Sequence, residues 1–205
     1  MMRLIGMMDS PYVRRVAVSL KLMGLPFTIK SVSVFRDFDA FARINPVVKA
    51  PTLVTDDGIA LMDSTLILDH LERLAPPERR LTPDDLHDHA RSQRILGLAL
   101  AACEKTVQIV YETSLRPEEK QHQPWLDRVW SQVRAAYRLL DIEIGTGDGW
   151  LFGVRPLQAD VTAAVAWRFT KAMLGDAITT AEHPHLARLS ERAEALPEFL
   201  ALPPE

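Results

Sequence analysis

The spacing of apolar residues changes once along this chain, and that single change limits the folds open to it. Up to residue 75, short β-like runs alternate with amphipathic helical segments. After Ala75-Pro76-Pro77-Glu78-Arg79-Arg80, strand signals vanish. The break is charged and incompatible with a helix, as inter-domain linkers are. At about 150 residues per domain, length alone allows one large domain or two small ones, and the change of pattern selects two. The expectation is an α+β domain at 1–75, a linker at 76–82 and an all-helical domain at 83–205.

Within the first segment, Leu4-Ile5-Gly6-Met7 reads as a short buried strand. Pro11 to Met23 follows as a helix, with Val13, Val16, Ala17 and Leu20 at helical spacing. Gly24 stops it, as a glycine after the last turn commonly does. Phe27 to Val34 is rich in β-branched and aromatic residues and reads as a second strand, although its alternation slips between Ile29 and Val32. Strand, helix and strand in so short a span predict a parallel pair joined by a crossover. Phe38 to Ile44 is a short helix. Thr52-Leu53-Val54-Thr55 and Ile59-Ala60-Leu61 flank Asp57-Gly58, a strong hairpin signal. Ser64 to Leu74 closes the segment as an amphipathic helix. The predicted order is β-α-β-α-β-β-α around a mixed four-stranded sheet.

The second segment carries helical stripes alone. Leu96, Ala99, Leu100, Cys103, Val107, Val110 and Tyr111 form one. Trp125, Val129, Val133, Tyr137 and Leu140 form another; Val161, Val165, Phe169 and Met173 a third; Leu186, Leu189 and Leu196 a shorter fourth. Such stripes predict a helical bundle, and most of their members are core.

Composition narrows the function classes. With 24 basic and 27 acidic residues the formal net charge is −3, and no block of like charges suggests a nucleic-acid or membrane surface. The single cysteine, Cys103, excludes an internal disulfide and a cysteine-rich zinc site. A reducing cytoplasm fits best. No apolar run reaches the roughly 20 residues that span a bilayer. His87 and His89 are two apart, so on a helix they point to different faces and make a poor metal pair. His183-Pro184-His185 reads as a helix entry.

Three places could carry chemistry, and each has a plain structural alternative. Ser10-Pro11 is a standard helix start, so Ser10 can be a cap. It also lies at the carboxyl end of a parallel strand, where ligands bind in open α/β sheets. A hydroxyl beside a helix N-terminus can donate to an anion there. Pro51, at the start of the third strand, is either an edge-strand proline or a cis proline beside which the Ala50 backbone stays open to an extended peptide. Asp63-Ser64-Thr65 begins the last helix of the first segment. Ser64 is a natural cap, the free amides behind it suit an anion, and Asp63 could face an ammonium. All three places fall on one edge of one small sheet. They suit a short peptide with an ammonium, a carboxylate and a thiol.

The motifs Ser10-Pro11-Tyr12-Val13-Arg14-Arg15-Val16, Asn45-Pro46-Val47-Val48-Lys49-Ala50-Pro51-Thr52-Leu53 and Asp63-Ser64-Thr65-Leu66-Ile67 come in this order and spacing. Together they resemble the glutathione S-transferase family, over essentially the whole chain. The stretch from Gly149-Trp150-Leu151-Phe152-Gly153 to Ala159-Asp160-Val161 is similar to that family's lead-in to the core helix of its second domain. Serine before Pro11 is similar to the serine-type, tau-like and related bacterial members. The resemblance implies a thioredoxin-like domain followed by a helical one. Glutathione is the implied co-substrate, with no metal, and a small hydrophobic electrophile is the implied second substrate. By that likeness Ser10 donates to the glutathione sulfur. Pro51 is cis, and the Ala50 main chain pairs with the cysteinyl part. Ser64 holds the γ-glutamyl carboxylate, Asp63 helps hold the same end, and Lys49 reaches the glycyl carboxylate. Met7, Met8, Tyr111, Trp167 and Val107 are candidates for the electrophile pocket, with core packing the alternative for Val107 and Trp167. A homodimer is also implied. One departure stands out: Leu157 occupies a helix-cap position where the family often has Ser or Thr, three residues before Asp160. A non-catalytic relative of the same fold is the rival reading, and Ser10, Pro51 and Ser64 all being present argues against it.

Overall fold

The computed structural model describes residues 1–204. They form two compact units, one of residues 1–82 with 195–204 and one of residues 83–194. The first unit follows β1 (Met2–Ile5), α1 (Pro11–Met23), β2 (Phe27–Lys30), α2 (Phe38–Ala42), β3 (Thr52–Val54), β4 (Ala60–Met62) and α3 (Ser64–Leu74). Strand order is β2-β1-β3-β4. β1 runs parallel to β2, with Leu4 opposite Ile29, and antiparallel to β3, with Leu4 opposite Leu53. β3 and β4 pair antiparallel across Asp57-Gly58, where Gly58 takes φ +90°. This is the mixed four-stranded sheet of a thioredoxin-like domain.

Adjacent strand residues point to opposite faces, and β1 is covered on both. Leu4 and Ile5 are each fully buried. Ile5 packs with Val32, Phe41 and Val54, which brings α2 onto that face. Val16 and Leu20 of α1 and Ile67 and Leu71 of α3 are also fully buried, and these two helices pack together. At about 1.5–3 kcal/mol per buried aliphatic side chain, such a sheet core holds the site-bearing loops in place. The second strand ends at Lys30, short of the expected Val34. β1 offers no ladder beyond Ile5 opposite Lys30, and the Gly6 amide closes the pairing on the Lys30 carbonyl at 3.1 Å.

The second unit contains α4 (Leu86–Val110), a π-turn at Tyr111–Leu115, α5 (Gln123–Ile144), α6 (Gln158–Leu174) and α7 (Pro184–Glu194). α4 packs on α5 and α6, and α6 on α7. Its polar centre is a hydroxyl chain: the Tyr137 hydroxyl lies 3.0 Å from the Ala166 carbonyl and 2.6 Å from Thr170 Oγ1, and Thr170 meets Thr106 at 2.8 Å. The buried side of α4 is Ser92, Ile95, Ala99, Ala102, Cys103, Thr106 and Ile109. It is rotated from the predicted stripe, whose Leu96, Leu100, Val107 and Val110 are half-buried and whose Tyr111 is exposed. Apolar residues surround this part of the helix, so periodicity alone did not fix its phase, and the Thr106 hydroxyl turns inward to meet its partner.

Residues 195–204 were expected in the helical domain and instead belong to the first unit. α8 (Pro197–Leu200) packs on α1. The Arg14 Nε donates to the Leu202 carbonyl at 2.9 Å, and its guanidinium lies 5.4 Å from the centre of the Phe199 ring. The predicted linker is likewise tied to the first unit. The Glu72 carboxylate accepts the Leu81 amide at 2.8 Å, and Pro77–Arg79 form a single 3-10 turn. Among the described residues no helix is long and apolar enough to cross a membrane.

Candidate functional site

The site grows from the end of β1. Gly6 takes φ +137°, and a Cβ there would lie 2.6 Å from Val13 Cγ2 and 3.2 Å from the Ala50 Cβ. The strand end, the first turn of α1 and the loop before Pro51 therefore converge on a point that only glycine can occupy. Ser10 follows, half-buried, with φ −72° and ψ 121°. Its Oγ accepts the Val13 amide at 3.4 Å, which makes it the cap of α1. A hydroxyl has one donor hydrogen and two acceptor lone pairs. Capping uses one lone pair and leaves the O–H free to donate, so the cap and site readings of Ser10 coexist.

The second part is the loop into β3. The Ala50–Pro51 peptide is cis. Neither the Ala50 amide nor its carbonyl finds a hydrogen-bond partner among the described residues. Buried Asn45 and Thr52 hold the loop's shape. Asn45 Nδ2 donates to Thr52 Oγ1 at 2.9 Å, Thr52 Oγ1 donates to the Lys49 carbonyl at 2.8 Å, and Asn45 Oδ1 accepts the Val47 amide at 3.1 Å. Val48 sits at φ 51°, which a β-branched residue seldom adopts. Lys49 is exposed.

The third part is the start of α3, where the cap differs from expectation. Asp63, not Ser64, is the N-cap. Its Oδ1 accepts the Thr65 amide at 2.9 Å and the Leu66 amide at 3.4 Å, and its φ is 71°. A carboxylate reaches two first-turn amides at once and is favoured at the positive end of the helix. Ser64 is thereby the first helical residue. Its own N–H has no partner among the described residues, and its buried Oγ accepts from Arg15 at 3.0 Å.

Met7 is half-buried near the Arg36 guanidinium, which approaches its sulfur at 3.5 Å, and Met8 is buried. In the second unit, Tyr111 is 46% exposed at the end of α4, and partial burial raises its phenol pKa. Trp167 is a core residue, edge-on to Tyr137 with ring centres 5.5 Å apart, and Val107 is half-buried. Asp85, His87 and Asp88 bring ligand atoms within 4.8 Å of one another at the start of α4. There Asp85 Oδ1 accepts the Asp88 amide at 2.9 Å, an ordinary cap.

Three residues of the site escaped the sequence reading. Asn45, Thr52 and Arg15 all stand inside the motifs, but their partners lie across the fold. Only the polarity of Asn45 and Thr52 beside a proline-rich loop hinted at them.

A mixed thioredoxin-like sheet thus carries a hydroxyl at its first helix, an open backbone before a cis proline and a capped start to its last helix. The glutathione S-transferase N-terminal domain family matches residues 4–79, and the corresponding C-terminal domain family matches residues 123–192. Maleylacetoacetate isomerase of Pseudomonas aeruginosa is 30% identical over 198 residues, covering 90% of this chain and 87% of that protein. A glutathione S-transferase of Methylobacterium radiotolerans, solved in complex with glutathione sulfonate, superposes with a TM-score of 0.91 at 30% identity and covers 99% of this chain and 94% of its own. A glutathione transferase family member from Pseudomonas fluorescens with bound glutathione gives 0.84 at 27% identity, with full coverage of both chains. The chain belongs to the glutathione S-transferase family.

Proposed function

We propose that this protein binds glutathione along the sheet edge of its first unit and activates the thiol for attack on a small hydrophobic electrophile. The observation that carries the reading is a set of unspent hydrogen-bonding groups: the Ser10 O–H, the Ala50 main chain, and the Ser64 N–H and O–H. A tripeptide thiol uses them in turn. The Ser10 hydroxyl donates to sulfur, the Ala50 backbone pairs with the cysteinyl amide, and the Ser64 donors take the γ-glutamyl carboxylate. Asp63 caps with one oxygen and offers the other to the neighbouring ammonium. Lys49, exposed beside Ala50, is the cation for the glycyl carboxylate.

The chemistry is a shift of ionisation. A free cysteine thiol has a pKa near 8.5, so only a few per cent is thiolate at pH 7. A donated O–H and a helix N-terminus both favour S⁻. Each pKa unit corresponds to about 1.4 kcal/mol, so one hydroxyl with helix-end amides can supply one to two units. The thiol proton leaves to water, and the thiolate forms the new carbon–sulfur bond as the leaving group departs with its electron pair. Ser10 acts as stabiliser throughout and forms no covalent bond. Met7 is the residue of the first unit offered to the electrophile, whereas Met8 and Trp167 are committed to the interiors of their own units.

The isomerase relative supports one variant of the same chemistry. A thiolate that adds reversibly to a conjugated cis double bond lets that bond rotate before the sulfur leaves again. Calorimetry with glutathione, followed by turnover with aryl halides, α,β-unsaturated carbonyls and a cis-configured unsaturated diketo acid, separates the options. No binding at millimolar glutathione favours the non-catalytic scaffold. Exposed Met62 and Leu66 on β4 and α3 support pairing with a second copy. The expected mass by light scattering is twice 23.0 kDa.

A further inference from the structure

We propose that Arg15 is a positioning residue that turns the hydroxyls of Ser64 and Thr65 toward a ligand carboxylate and so makes the site read the γ-glutamyl end of its peptide. The inference rests on the glutathione reading and extends it to a residue in α1 that faces no substrate itself. Arg15 is only 2% exposed. Its NH1 donates to Ser64 Oγ at 3.0 Å and to Thr65 Oγ1 at 3.3 Å. One buried cation thus spans the first two residues of α3.

A guanidinium can only donate, and it stays charged at any accessible pH. At each hydroxyl it therefore takes an acceptor lone pair and leaves the O–H to donate elsewhere. A carboxylate is an acceptor with no hydrogen to give, so the two hydroxyls are held in the state that matches it. A charged donor on the oxygen also polarises the O–H and strengthens its next hydrogen bond. The positive charge adds to the helix N-terminus at the same point. Asp63 has meanwhile taken the Thr65 and Leu66 amides with its own carboxylate. That leaves the Ser64 N–H and the two Arg15-oriented hydroxyls as the donors of this helix end. The Arg15 carbonyl accepts the Ser19 hydroxyl at 2.7 Å within α1, so Arg15 stands on the same helix that Ser10 caps. A single rigid element then serves both the thiol end and the γ-glutamyl end of the ligand.

The test compares ligands as well as variants. γ-Aminobutyryl-cysteinyl-glycine keeps the amine of glutathione and lacks the γ-glutamyl carboxylate; glutaryl-cysteinyl-glycine keeps the carboxylate and lacks the amine. By calorimetry, the intact protein should prefer glutathione to the first analogue by about tenfold or more, the range of a hydrogen bond to a charged group. In Arg15→Gln that preference should fall toward unity while the preference over the second analogue persists. Arg15→Lys, which keeps the charge without the fork, should recover part of it. In turnover, KM for glutathione should rise much more than kcat falls. An Arg15→Gln protein that melts like the parent and weakens glutathione and both analogues by one common factor would overturn the inference while leaving glutathione binding standing. A parent protein that binds no glutathione overturns the functional reading and this inference together. If both Arg15 variants fail to fold, Thr65→Val removes the outer contact from the exposed side. Loss of about half or more of the carboxylate preference supports the proposal, and an unchanged preference refutes it.

Discussion

Ser10 shows how much one side chain can do with three hydrogen-bonding positions. It closes α1 with an acceptor lone pair and keeps its hydrogen for a ligand. Removing the hydroxyl should therefore have two separable effects. Ser10→Ala should lower stability by about 1 kcal/mol, the usual worth of a cap. It should also raise the pKa of bound glutathione by about one unit and cut kcat/KM near neutral pH by roughly tenfold. Thiolate absorbance titrated against pH in the presence of the enzyme reads the pKa directly. An unshifted titration in Ser10→Ala would assign thiol activation to the helix end alone. Ser10→Gly separates the effects further, because glycine caps nearly as well as serine without offering a donor.

At the scale of single elements, the start of α6 is secured from inside the helix. Leu157 stands at the N-cap without a side-chain acceptor. Asp160 does the work from inside the helix, with one oxygen on the Leu151 amide at 3.0 Å and the other on the Leu157 amide at 2.9 Å. This is half of a capping box, plus a tie to the preceding turn. Asp160→Ala strands the buried Leu157 amide and the partly buried Leu151 amide. At about 1–3 kcal/mol per unsatisfied group, the helical unit should lose about 2–4 kcal/mol, measured as a lower urea midpoint with an unchanged slope. Asp160→Asn keeps one acceptor and should cost less. Local chemistry of this kind is also what made elements legible. Ser10-Pro11 and Gly24 bound α1 at the residues expected, and Asp57-Gly58 marked the hairpin. β2 and α4 were read less well because their limits lie elsewhere in space: β2 stops where β1 runs out of ladder, and the buried face of α4 is selected by Thr170 and Tyr137. The candidate site divides in the same way. Ser10, Pro51 and Ser64 stood out as candidates in the sequence, with the cis bond at Pro51 implied only by the family resemblance, whereas Arg15, Asn45 and the capping role of Asp63 required the fold to bring their partners within reach.

At the scale of the whole molecule, two buried titratable groups in the helical unit set opposite responses to pH. His183 is buried beside Trp167 and Tyr137, and its Nδ1 has no partner among the described residues. Burial holds its pKa below the ordinary 6.5, although Asp141 and Glu182 pull the other way. The unfolded chain therefore takes up this proton first. The stability it confers is complete above pH 6.5 and is lost as pH falls through the folded value. Asp160 is the converse case. Burial pushes its carboxyl from 3.8 up to about 6, against the pull of its amides and Arg192. Its contribution is complete below pH 3.8 and lost as pH rises through about 6. Melting temperatures taken from about pH 7 to about pH 5 should therefore fall more for the parent than for His183→Gln, whose acid limb lacks that uptake. Parallel curves for the two proteins would show that His183 contributes nothing to acid sensitivity.

The return of residues 195–204 to the first unit bears on how the protein is made. The Leu202 carbonyl that receives the Arg14 guanidinium is supplied 188 residues after it. A nascent chain can assemble its sheet early, yet the back of α1 stays uncovered until Phe199 and Leu202 have been synthesised. Placement of the helix that carries Ser10 and Arg15 is thus completed only after the whole helical unit has been synthesised.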